Sequence, residues 1–233
     1  DSGELGRLLA LMKKKDERTF NSTFGEHAQE LLDVTNATGP ASKDSPGGRS
    51  RRVQPVGGRD LWADEWIKRF QKAAEHLPFQ AAQIELAAKD FLDPMLPFAH
   101  ALGLDTDRAL TMLVDRAIQM GVGGARRWII NTVGPVKTPA LLQQVLAALG
   151  QADLKSFQKS KNLKADGVLG ATTHAALIEE LRKKGAGASP VPVPDPKQMM
   201  EMLVREAAGK SWGGRVKRIY EAKQGFDDKP VQL

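Results

Sequence analysis

The chain has 233 residues, 41% of them apolar, and a net charge of +6. That is enough to bury a core in one large or two small domains, and too apolar for wholesale disorder. With no cysteine it can form no disulfide, thiolate metal site or papain-like nucleophile.

Helical periodicity dominates from the start. Leu5, Leu8, Leu9 and Met12 make one apolar stripe, and Phe24, Ala28, Leu31 and Leu32 another. Between Thr38 and Gly58 the chain turns to Gly, Pro, Ser and Arg, which predicts a long surface loop. Asp60 is expected to cap a helix through Trp62, Trp66, Ile67 and Phe70, stopped by Pro78. A longer helix is expected from Phe79 to about Leu92. Thr106 or Asp107 starts the next, with Leu110, Leu113, Val114, Ala117 and Ile118 on its buried face. Gly121, Gly123 and Gly124 end it, and another helix follows with Trp128, Ile129 and Ile130. Thr172 and Thr173 open a helix whose Ala176, Leu177 and Leu181 face inward. Pro190, Pro192, Pro194 and Pro196 predict an extended, semi-rigid run. Two last helices carry Met199, Met202 and Leu203, then Trp212, Val216 and Ile219. Strand signals are nearly absent, so the fold class is all-α.

The positive charge favours an anionic partner. Its clusters, Lys13–Lys15, Arg49 with Arg51 and Arg52, Arg126–Arg127 and Arg182–Lys184, are scattered. They do not alternate with aromatics as a stacking platform needs, so nucleic acid is not an expected partner. No apolar run is long enough to cross a bilayer, and membrane insertion is not expected. The four histidines, His27, His76, His100 and His174, form no close metal-ligand spacing. Nucleophile elbow, phosphate-binding loop and dinucleotide fingerprint are all missing. No metal and no cofactor is expected.

The most informative segment runs from Phe157-Gln158 through Leu163, Asp166-Gly167 and Gly170 to Thr172-Thr173 and Ala176-Leu177. Asp-Gly and Gly170 supply turn chemistry between two helices. The segment resembles the small peptidoglycan-binding domain of cell-wall hydrolases, whose pattern reads FQ…GL…DG..G..T…AL. Two positions depart from it: Asn162 stands where that family usually has Gly, and Ala171 where it usually has Pro. The resemblance implies a three-helix domain over 136–187 and peptidoglycan as partner, with Asp166, Gly167, Gly170 and Thr173 as substrate-binding residues.

A second resemblance lies over roughly residues 60–130. Phe79-Gln80-Ala81-Ala82-Gln83, Phe91-Leu92-Asp93-Pro94, Leu102-Gly103-Leu104 and Leu113–Gly121 follow an order similar to the chitosanase branch of the lysozyme-like glycoside hydrolases. Ser2–Leu9 looks like a helix start of the same family, while Val114 and Met120 depart from its aromatic and His. The implied activity is a lysozyme-type muramidase with a glycoside hydrolase domain over 1–135, and C-terminal helices in 188–233 packing back on it. The alternative is a non-catalytic wall-binding part of a larger hydrolase or effector. In that family both catalytic carboxylates precede the segment matching Ser2–Leu8, which places the catalytic Glu upstream of residue 1.

Glycoside hydrolysis needs two carboxyl groups, one as acid and one activating water or attacking. Within the chain the candidates are Glu26, Glu4 and Asp115. Glu26 follows Gly25 at a helix start, where it serves as acid or as cap. Glu4 either contacts substrate or offsets the helix dipole. Asp115 matches a family Asp in an arginine network, and the plainer reading is a structural ion pair with Arg126 or Arg127. Arg126 is also a candidate for substrate binding. Glu65 lies between Trp62 and Trp66, which are sugar platforms or core residues.

The N-terminal Asp1-Ser2-Gly3-Glu4 is not a signal peptide. A wall-binding segment without one predicts delivery to the wall or to a target cell's periplasm by another route. That route is a phage-type lysin or, preferred, an antibacterial effector carried by a secretion machine, with a cognate immunity protein.

Overall fold

The computed structural model describes residues 3–37, 55–185, 189–226 and 228–231. Most of the loop expected between Thr38 and Gly58 lies outside them. The described residues are mainly helical, with no strand and two isolated bridges, Val56–Arg59 and Thr106–Pro230. The chain divides into two compact units, Asp1–Lys89 and Asp90–Leu233. The boundaries expected at 135 and 187 therefore fall inside the second unit.

The first unit contains α1 (Glu4–Lys15), α2 (Glu17–Phe24), a 3-10 turn (Gly25–His27), α3 (Ala28–Ala37), α4 (Asp64–Ala74) and α5 (Leu77–Ala87). Glu4 in the first turn of α1 and Lys13–Lys15 in its last complement the helix dipole. Asp16 ends α1 and caps α2, its carboxylate accepting from Thr19 N at 2.9 Å. The core gathers Leu9, Met12, Phe20, Phe24, Leu31, Trp66 and Phe79. Phe24 stands 5.1 Å from Phe20 and 5.5 Å from Phe70, ring to ring. α1 crosses α3 so closely that a Cβ on Gly6 would stand 2.7 Å from the Thr35 carbonyl oxygen. Any larger residue there would force the two backbones apart.

α4 departs from the reading of the sequence. It begins at Asp64 with Ala63 as cap, not at Asp60. Trp62 consequently precedes the helix and is 87% exposed. Only Trp66 and Phe70 join the core, and the Trp66 indole N–H donates to Val56 O at 3.2 Å. Pro78 belongs to the first turn of α5, where the missing N–H costs nothing. The long helix expected to Leu92 ends at Ala87 and passes into a π-helical turn, Ala88–Leu92.

The second unit contains α6 (Asp93–Ala101), α7 (Asp107–Val133), α8 (Pro139–Ala148), α9 (Leu154–Ser160), α10 (Ala171–Lys184), α11 (Pro196–Ala207) and α12 (Gly213–Glu221). Of the two expected starts, Thr106 caps α7, its hydroxyl accepting from Ala109 N. Gly121 breaks α7 with φ 74 and ψ 155, whereas Gly123 and Gly124 lie inside its second segment. The buried face of the first segment carries Met112, Asp115 and Arg116 beside Leu110, Leu113 and Ala117. Ile118, expected inside, is half exposed.

Two apolar clusters share this unit. The larger gathers Met95, Phe98, Leu102, Leu113, Ile129, Met199, Leu203 and Val216, and α11 and α12 pack on α7. The smaller gathers Val136, Val145, Leu146, Leu154, Phe157, Leu177, Leu181 and Val191 from α8, α9, α10 and the proline run. α10 serves both: Ala175 and Ile178 enter the larger cluster, Leu177 and Leu181 the smaller. Each fully buried Leu, Ile or Phe contributes roughly 1.5–3 kcal/mol, so α10 binds the α8–α9 hairpin firmly to α6 and α7. The C-terminal tail is clasped by Arg108, which pairs with Asp228 at 2.6 and 2.8 Å, donates to Ala222 O at 2.7 Å and stacks on Phe226.

Candidate functional site

The smaller cluster carries the segment that the sequence singles out. Asp153 caps α9 by accepting from Ser156 N at 2.7 Å. Phe157 then enters the core. α9 ends in a Schellman motif: Leu163 N donates to Gln158 O at 2.8 Å and Asn162 N to Lys159 O at 3.1 Å. The motif requires a left-handed residue at position 162, and Asn162 has φ 53. Asparagine is, after glycine, the residue that tolerates this conformation best, which accounts physically for one departure from the resembled pattern. Ala171, the other departure, is the first residue of α10, where proline and alanine are both accommodated.

The loop between α9 and α10 is held from below by Gln158, which is 1% exposed. Its amide nitrogen donates to Asp166 Oδ1 at 3.1 Å, Val168 O at 3.0 Å and Thr173 Oγ1 at 3.3 Å. Its carbonyl accepts from Gly167 N at 2.8 Å. Gly167 has φ 76, a conformation that favours glycine. Asp166 Oδ1 also accepts from Val168 N at 2.9 Å. This bond first, then that from Gln158, holds the carboxyl below the usual carboxylate range.

Above this scaffold opens a cleft of about 300 Å³, lined by Leu163, Lys164, Asp166, Val168, Ala171 and Thr172 together with Gly170 and Thr173. The structure thus brings together Asp166, Gly170 and Thr173 of the expected binding residues, with Gly167 turned inward to Gln158. Gln158 itself, Lys164 and the 61% exposed Val168 are additions. The Phe-Gln pair signals Gln158 in the sequence, but its burial does not show there. Beneath the cleft, His174 is 4% exposed and its Nε2 accepts from Val136 N at 3.3 Å. Burial, with Lys137 adding to it, pushes its imidazole from the ordinary 6.5 down to about 4.

The remaining candidates stand in different settings. Asp115 is 9% exposed and ion-paired with Arg116 and Arg215. Arg116 is fully buried and stacks 4.4 Å from the Trp212 ring centre, which meets Trp128 edge to face at 5.4 Å. The partners are therefore Arg116 and Arg215, not the expected Arg126 or Arg127, because α12 brings Arg215 to this face of α7. Both carboxylate oxygens of Asp115 are engaged, one by each arginine. Arg126 does not line the cleft. It donates to Pro94 O and lies 5.7 Å from the Phe98 ring, and burial lowers its pKa.

Glu26 projects from the 3-10 turn with its side chain 85% exposed, 3.7 Å from His27 Nε2. His27 Nδ1 lies 3.1 Å from Glu30, which accepts from Gly57 N. Glu4 is exposed in the first turn of α1. Glu65 is paired with Arg59 and Arg69. Among the described residues no group of three or more His, Cys, Asp or Glu could hold a metal ion, and no helix is long and apolar enough to cross a membrane.

The structure defines an all-α protein with an open cleft at the loop between α9 and α10. No protein-family model matches the chain, and no curated protein or solved structure matches it.

Proposed function

We propose that the chain binds peptidoglycan through the cleft between α9 and α10, as the wall-anchoring part of a cell-wall hydrolase or antibacterial effector. One observation carries this reading: Asp166, Gly170 and Thr173 of the resembled pattern line one open cleft, and a buried Gln158 fixes its rim. Such a scaffold presents a preformed surface, so little ordering is lost on binding. Delivery outside the producing cell, with a secretion carrier and an immunity protein as partners, belongs to the same reading.

A second reading, lysozyme-type cleavage of the glycan strand in a chitosanase-like fold, is favoured by Glu26. Its side chain is solvent-facing, 3.7 Å from His27 Nε2, and so open to a ligand approaching from solvent. Co-sedimentation with purified sacculi, followed by mass spectrometry of the supernatant, tests both. Pelleting without release supports the binding reading, and new reducing ends that disappear in Glu26→Gln support the hydrolase. A chain that stays in the supernatant and releases nothing contradicts both.

A further inference from the structure

We infer that the cleft takes the peptide stems of the wall polymer, not its sugar strand, with the Lys164 ammonium on a stem carboxylate. The inference rests on the wall-binding reading above and narrows it.

The cleft lining contains no aromatic side chain. A pyranose ring presents a broad apolar C–H face, and the side chains that cover such a face economically are flat aromatics. Here the apolar surface comes in methyl-sized pieces, Val168 at 61% exposure with Ala171 and Leu163 half-buried beside it. That matches an alanine side chain better than a sugar face. The charges agree. Asp166 Oδ1 is taken up by Gln158 and the Val168 N–H, which fixes the carboxylate with Oδ2 beside Lys164. Lys164 is 87% exposed and lies 3.5 Å from Asp166 Oδ2, a long contact that leaves ammonium protons for an incoming carboxylate. Thr172, exposed on the rim, offers a hydroxyl to a peptide group. A cleft of about 300 Å³ is at the small end of ligand sites and suits two or three residues of peptide.

The test compares intact sacculi with sacculi whose stems have been removed by an amidase, using the full chain and Lys164→Glu. The wild-type chain should bind intact sacculi and lose at least about tenfold in affinity on stripped glycan. Lys164→Glu should lose about tenfold on intact sacculi while melting like wild type, since the side chain is exposed. A soluble alanine-terminated stem peptide should compete, and a chitin oligomer should not. Equal affinity for intact and stripped sacculi would overturn this inference and leave the wall-binding reading standing. Binding to neither would overturn both.

Discussion

Gln158 offers the sharpest physical test of how the cleft is built. Its amide makes four hydrogen bonds to four different residues from a position that is 1% exposed. In Gln158→Leu, which keeps the volume but not the polarity, Gly167 N–H loses its acceptor, and Asp166, Val168 O and Thr173 lose a shared donor. A neutral hydrogen bond contributes about 0.5–1.5 kcal/mol net, and a buried group left unpaired costs about 1–3 kcal/mol. Asp166 and Gly167 are near solvent, so water recovers part of the loss. The expected destabilisation is about 2–3 kcal/mol by urea denaturation, with an unchanged m-value. Gln158→Glu should be worse at neutral pH, because it sets a second carboxylate where the amide nitrogen stood 3.1 Å from Asp166 Oδ1. That variant should regain stability as pH falls and the pair takes up a shared proton. Unchanged stability in both variants would refute the claim that Gln158 holds the loop.

Other regions give independent tests. His174 has a folded pKa of about 4 against an ordinary 6.5, so the unfolded chain takes up its proton first. Its contribution is complete above about pH 6.5, falls as pH drops through 6.5 towards 4, and levels off below, a loss of roughly 3 kcal/mol. Replacement by Gln should flatten that part of the stability–pH curve, and an unaltered curve would count against a buried neutral imidazole. Asp115→Ala strands the fully buried Arg116 and should cost about 3–5 kcal/mol in unfolding free energy. If it left stability intact and abolished wall lysis, Asp115 would be catalytic rather than structural. Asn162→Gly should hold or gain stability, while Asn162→Ala should lose about 1 kcal/mol, because alanine lacks asparagine's tolerance of φ 53. Equal thermal melting of the three proteins would contradict the Schellman assignment.

Local chemistry made much of this architecture legible. Thr106, one of two expected starts, is the cap, and Gly121, one of three expected stops, is the break, because both act within one turn of chain. Asp166, Gly170 and Thr173 are marked by the resemblance, and they share the cleft because one short segment carries them all. What failed depends on distant partners. Asp115 is neutralised by Arg215, one hundred positions away, and spacing along α7 gives no hint of it. Ile118 has the right periodicity for burial yet stays half exposed. Trp62 and Trp66 have helical spacing, yet α4 starts between them, so one faces solvent and the other the core. The sequence reading places α10 wholly within the 136–187 domain, whereas its two apolar faces enter different clusters.

The central claim is that wall polymer docks in the cleft between α9 and α10. Its most direct measurement is amide chemical-shift mapping of the isotopically labelled full chain titrated with soluble muropeptides. The account predicts saturable shifts concentrated at residues 163–173, with Lys164, Val168 and Thr172 among the largest. Saturable shifts that leave this segment untouched, or none at muropeptide concentrations of about 1 mM where even weak docking is occupied, would contradict it.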